Sequence, residues 1–228
     1  FDHMMLDGLE DAYEPGRSMG TFGEDCAAKY GFTRAEQDAF ATASVERAKA
    51  ATASGAFAAE ITPVTVKSRA GETVVSVDEG PGKVKLDKIA SLKPAFKKDG
   101  TITAASSSSI NDGAAALVMM RASTATKLGC KPLARIVGHA THAQEPEWFA
   151  TAPLGATQKA LAKAGWAVGD VDLWEINEAF AVVPMALMKE LNLPHDKVNV
   201  NGGACALGHP IGASGARIMV TLIYALQA

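Results

Sequence analysis

The sequence predicts an α/β protein: a sheet layered with helices, carrying a smaller α+β excursion at its N-terminal side. Three observations lead there. From Asn111 onward, apolar β-rich segments alternate with helical patterns, the order that builds a sheet covered by helices. Before Ser106 that alternation is missing, and a long charged helix is followed by a hairpin and irregular chain. Two strand-to-helix junctions then carry polar residues, Asn177 and His209, at the place where α/β proteins gather ligands.

The elements follow in order. Phe22 to Tyr30 reads as helical. Thr33 and Glu36 have capping-box spacing and open a helix through about Ser54, which Gly55 stops. Ile61 to Lys67 and Glu72 to Val77 are β-rich and meet around Gly71 as a hairpin, leading into irregular Glu79 to Lys83. Beyond Asn111 the pattern gives strand Ala114 to Met120, helix Ser123 to Leu128, strand Leu133 to Ala140 and helix Ala156 to Ala164. Strand Val171 to Ile176, helix Glu178 to Leu191, strand Val198 to Val200 and a final helix complete it. A composition change near Ser106 to Asn111 divides the chain.

At 228 residues and 48% hydrophobic content, the chain has enough apolar material for a substantial core. A net charge of −3 with dispersed basic residues argues against a general nucleic-acid binder. No apolar run reaches the roughly 18 residues of a membrane span. Three widely spaced cysteines, Cys26, Cys130 and Cys205, form neither a disulfide framework nor metal-binding pairs, which points to a reducing, cytoplasmic setting. Phe1-Asp2-His3-Met4-Met5 has neither an initiator methionine in first place nor the pattern of a secretory signal. The apolar pattern from Ile218 to Leu226 stops without a glycine cap, so both ends read as cut.

Asn199 to Arg217 holds the densest functional signal. Gly202, Gly203 and Gly208 remove bulk so that backbone can approach a ligand, and Pro210 suits the first position of a helix. His209 is thereby placed between rigid elements. Taken singly, each residue also has a plain structural reading. His209 can be a helix-entry histidine with a satisfied ring, Asn177 a helix cap with Glu178 in the first turn, and Ser106 to Ser109 a polar linker. Phe96 and Phe149 can be core aromatics, and Cys205 a packed thiol. The Gly202 to Gly208 spacing is not a dinucleotide fingerprint.

Asn177-Glu178-Ala179-Phe180, the Gly-His-Pro block at His209, and Ser109-Ile110-Asn111-Asp112-Gly113-Ala114-Ala115 together resemble three signature segments of the thiolase family, in the family's order. Asp7 to Tyr13, Met19-Gly20-Thr21 and Glu36 to Ala41 resemble its biosynthetic-type acetyl-CoA acetyltransferase branch, so the resemblance covers nearly the whole chain. It implies a thiolase-like fold of which this chain holds one half of the layered mixed-sheet core plus an α+β loop domain, with residues 1–109 as the loop domain and 110–228 as most of the C-terminal core domain. It implies condensation of two acetyl-CoA to acetoacetyl-CoA plus CoA, and the reverse thiolysis, with coenzyme A thioesters as substrates and no tightly bound cofactor.

By the same resemblance, His209 supplies a ring N–H to an oxyanion hole and Asn177 holds a catalytic water. Leu9, Met19, Phe96, Ala104 and Ser108 lie beside CoA, with Phe149 and Phe180 lining the thioester tunnel. Ser18 departs from the histidine that many members place there. Neither of the family's two catalytic cysteines has a match, so the chain alone is expected to be inactive and to need the missing half or a companion chain. A homotetramer is the family's expected assembly. The alternatives are a degradative 3-ketoacyl-CoA thiolase and a non-catalytic CoA-binding or assembly subunit.

Overall fold

The longest helix begins where both halves of a capping box form. In the computed structural model, which describes residues 2–228, Thr33 Oγ1 accepts the Glu36 backbone N–H at 3.2 Å while Glu36 accepts the Thr33 N–H at 2.7 Å. Phe1 lies outside the described residues. Helix α2 (Arg34–Ser54) ends at Gly55, whose φ of 79° is a left-handed state that costs glycine nothing. Helix α1 (Met19–Tyr30) precedes it and contains the stretch expected from Phe22.

The hairpin forms as β1 (Val64–Ser68) and β2 (Gly71–Val75), antiparallel with Val64 opposite Val75, and all its residues are exposed. Its turn falls at Arg69-Ala70, and Gly71 opens β2 instead of making the turn. The segment expected to be irregular holds a single helical turn, α3 (Gly80–Lys83), with Pro81 in the position its fixed φ favours.

The C-terminal helices are α4 (Ala122–Lys127), α5 (Ala152–Ala164), α6 (Val182–Leu191), α7 (Ala204–Leu207) and α8 (Ile211–Ala225). The strands expected between them are corrected. Ala114 to Met120 and Leu133 to Ala140 join no ladder, and Val118 is 90% exposed. A β-rich sequence expresses a local preference, whereas a ladder needs a partner for its N–H and C=O groups, and no described segment supplies one. Val171 to Ile176 and Val198 to Val200 meet through one parallel bridge, Trp174 to Val198.

Helix α6 begins four residues later than expected. Phe180 instead bridges Ser107, the Ala181 N–H donates to the Ser106 carbonyl at 2.8 Å, and the Ser108 N–H donates to Ala179 at 3.1 Å. These bonds hold residues 177–181 against the 106–109 segment, so Asn177 caps no helix. Pro210 likewise stands just before α8 as its cap residue, not inside it.

Apolar faces of α1 and α6 close over Ile102, Ala150 and Phe180 in one cluster, and Ile176, Leu187, Leu193 and Val198 form a second on α6's other side. The two meet near a fully buried polar hub. The Glu178 carboxyl accepts Ser44 Oγ at 2.7 Å, Asn199 Nδ2 at 2.8 Å and the Cys205 N–H at 3.0 Å. Gly203 sits so close to this carboxyl that a Cβ there would overlap it, and Gly202 crowds the Ser44 carbonyl of α2. The bulk-free glycines therefore admit protein groups, where the sequence suggested a ligand.

Glu178→Ala strands three buried donors at once, and an unmade bond of this kind costs about 1–3 kcal/mol each. Urea unfolding is expected to show a loss of roughly 3 kcal/mol or more. A change below about 1 kcal/mol would show that the hub is not what joins these segments.

Candidate functional site

Three segments distant in sequence converge on His209. Its backbone N–H donates to the Ser109 carbonyl at 3.0 Å, and its Nε2 lies 3.4 Å from Asn177 Nδ2. Gly208, at φ 85°, lets the Asn111 side chain come against it, and Gly113 packs on Pro210. The Ser109–Ala115, Asn177–Phe180 and Gly-His-Pro segments thus share one locus, between the hub at Glu178 and the start of α8.

His209 is half-buried, and its Nδ1 lies 2.6 Å from Ser214 Oγ. Burial, and then the positive charge of Arg217, hold the imidazole below its ordinary value, so the ring is neutral at pH 7. Asn177 Oδ1 is buried without a hydrogen-bond partner. Buried polar atoms of this kind ordinarily find one, so the side chain is set up to accept as well as donate.

The apolar wall is built from four of the predicted residues. Phe180 is buried, with Phe96 edge-on at 5.6 Å and Phe149 tilted at 6.4 Å between ring centroids, and Met19 packs on the same cluster. A cavity of about 350 Å³ opens beside Asn177, bounded by Phe149, Pro153, Ala179, Val183 and Ile218. The 102–109 segment runs alongside. Ala104 on it is exposed, while the Ser108 hydroxyl donates to the Ala179 carbonyl at 3.0 Å, leaving only its acceptor side for another group. Leu9, half-buried in the turn Met5–Leu9, belongs to none of the four buried apolar clusters.

The thiols divide by environment. Cys205 is buried against Glu178, and burial followed by that neighbour pushes its thiol well above the ordinary range. Burial likewise pushes Cys26 up to about 11. Neither provides the thiolate that nucleophilic chemistry requires. Cys130 is exposed in the turn after α4. Among the described residues, no cluster of His, Cys, Asp and Glu could hold a metal ion, and no helix is long and apolar enough to cross a membrane.

Sequence reasoning missed an ionisable pair at the cavity, whose lining includes Glu175. Glu175, with its side chain 3% exposed, lies 3.9 Å from Arg217, and neither Glu175 oxygen has a hydrogen-bond partner. At that distance attraction does not offset desolvation, and burial pushes the Glu175 carboxyl up to about 8. The readable signal was an acid inside the apolar run Val171 to Ile176.

Because its folded value stands above the ordinary 4.5, Glu175 holds a proton in the folded protein that the unfolded chain has lost. Its contribution is complete below pH 4.5 and falls away as pH rises toward 8. Glu175→Gln is therefore expected to raise the thermal midpoint more at pH 8 than at pH 5. Parallel wild-type and variant curves across that range would contradict the assignment.

Comparison with known proteins gives the family. Residues 1–123 match the family described as thiolase, N-terminal domain, and residues 130–228 match thiolase, C-terminal domain. The chain is similar to a probable acetyl-CoA acetyltransferase of Dictyostelium discoideum, with 53% identity over 227 residues, 99% of this chain and 55% of that protein. It is 50% identical to the acetyl-CoA acetyltransferase of Paracoccus denitrificans, covering 99% of this chain and 58% of that protein. The crystal structure of the Bacillus anthracis acetyl-CoA acetyltransferase superposes with a TM-score of 0.94 at 45% identity, over 98% of this chain and 57% of that one. Human mitochondrial 3-ketoacyl-CoA thiolase superposes with a TM-score of 0.89 at 36% identity, over 99% of this chain and 57% of that one. The chain spans little more than half the length of these curated relatives, and over that span it has the thiolase α/β fold. It belongs to the thiolase family.

Proposed function

We propose that the protein carrying this chain is an acetyl-CoA C-acetyltransferase, condensing two acetyl-CoA to acetoacetyl-CoA and CoA and catalysing the reverse thiolysis. The observation that supports it best is the meeting of the Ser109, Asn177 and His209 segments at one locus. Acyl transfer between thioesters develops negative charge on the thioester oxygen when the α-carbon loses a proton and when the tetrahedral centre forms. Neutral donors fixed by the fold stabilise such charge with little reorganisation during the reaction. His209 is neutral and held by its neighbours, and Asn177 stands beside it.

In this reading the Met19, Phe96, Phe149 and Phe180 cluster lines the acyl and pantetheine path, with Leu9, Ala104 and Ser108 farther along the CoA. Residues 1–109 serve as the loop domain and 110–228 as the core domain. The nucleophilic thiolate and the proton-transferring thiol come from residues other than the buried Cys26 and Cys205, supplied by the rest of a thiolase subunit or by a companion chain. The working assembly is a homotetramer in the cytoplasm, using coenzyme A thioesters without a tightly bound cofactor. The likeness to a 3-ketoacyl-CoA thiolase supports a second reading, thiolysis of longer ketoacyl chains.

Thiolysis assays of the intact protein with acetoacetyl-CoA and with longer 3-ketoacyl-CoA substrates separate the two readings. The first predicts higher kcat/KM on acetoacetyl-CoA. It also predicts that His209→Ala lowers kcat by on the order of 10²–10³, the loss typical of one oxyanion donor. No turnover of any ketoacyl-CoA by the intact protein, or stoichiometric acylation of Cys205 by acetyl-CoA, would overturn it.

A further inference from the structure

Ser214, on the first turn of α8, is 5% exposed, and its hydroxyl has two neighbours. Oγ lies 2.6 Å from His209 Nδ1 and 3.1 Å from the Pro210 carbonyl oxygen. The hydroxyl has one proton and can donate it to only one of them. The Pro210 carbonyl already accepts the Ala213 N–H at 2.7 Å and the Ser214 N–H at 2.9 Å, so it is satisfied without the hydroxyl proton. His209 Nδ1 has no other partner among the described residues. The shorter contact is also the one that lacks a competing donor.

From this we infer that Ser214 is a positioning residue which donates its hydroxyl proton to His209 Nδ1 and so sets the ring in its Nε2–H form. A neutral imidazole carries one proton, and with Nδ1 accepting, that proton must sit on Nε2. Nε2 then faces the Asn177 side chain as a donor. Two donors 3.4 Å apart do not bond to each other, so both are free to donate to an acceptor oxygen placed between them. The opposite arrangement, with Nδ1–H donating to Ser214 Oγ, would turn a lone pair at Nε2 toward Asn177 Nδ2 and make His209 an acceptor. One side chain that need not touch substrate thereby selects between two chemistries for the histidine. The catalytic weight of this choice rests on the proposed acyl transfer, but the choice of tautomer does not.

Multiple-bond 1H–15N correlation spectra of the intact protein, labelled at histidine, read the tautomer directly, with His209→Asn identifying the signal. Wild type is expected to show the Nε2–H form at pH 7, and Ser214→Ala a mixture of both forms. In turnover, Ser214→Ala is expected to lose on the order of 10–100-fold in kcat with KM little changed, as for groups that orient a histidine through its other nitrogen. Ser214→Thr, which keeps the hydroxyl, is expected to restore the Nε2–H form and most of kcat. A wild-type Nδ1–H signal overturns the inference even if Ser214→Ala does not fold. A pure Nε2–H signal in a folded Ser214→Ala protein overturns it as well. If wild type shows Nε2–H but the protein turns over no thioester, the function proposed above fails while the tautomer assignment stands.

Discussion

A carboxyl group with no charged partner holds the centre of this molecule together. Glu178 is fully buried, and its oxygens take their hydrogen bonds from a helix serine, an asparagine side chain and a backbone N–H. Each donor comes from a different part of the chain. Ser44 belongs to α2, Asn199 to the segment bridging Trp174, and Cys205 to the turn that leads to His209. Asn199 also donates to the Ile176 carbonyl and accepts the Ile176 N–H, both at 2.8 Å, tying the approach to Asn177 into the same network. The distance between Asn177 and His209 is thus set by residues that do not themselves reach the cavity.

Packing explains why these bonds persist. Phe180, two residues past Glu178, is buried between α1 and α6, so the turn that bears Asn177 is held by apolar contact on one side and by the hub on the other. Glycine at 202 and 203 allows the second turn to approach within hydrogen-bond reach, and any side chain there would push it away from α2 and Glu178. From that turn the chain passes through Gly208 and Pro210 into α8, which returns Ser214 to the imidazole and Arg217 to Glu175. One helix thus carries both groups that act electrically on the site from behind.

Local chemistry made part of this legible in sequence. The capping box at Thr33 and Glu36, the stop at Gly55 and the final helix depend on residues a few positions apart, and they form as read. The meeting of Asn177 and His209 was readable because both stand at junctions in motifs that, in order, resemble signature segments of one family. The failures concern relations between distant segments. Ala114 to Met120 has the composition of a strand, but composition does not say whether a partner lies alongside. Helix α6 starts late because Ser107 takes Phe180 into a bridge, which no local pattern around Glu178 announces. Ser214 reads as a small residue in a helix, and only the turn at Pro210 brings its hydroxyl to the ring. Glu175 was the one readable omission, since an acid within an apolar run requires an explanation wherever it falls.

The central claim, proposed above, is that His209, with Asn177 beside it, donates to the oxygen of a thioester at the end of an apolar path. A crystal structure of the intact protein with acetyl-CoA bound tests it most directly. The account predicts the thioester oxygen within hydrogen-bond distance of His209 Nε2, with the acyl end against Phe149 and Phe180. Well-ordered acetyl-CoA whose thioester lies away from His209, with the histidine facing only protein groups, would contradict it.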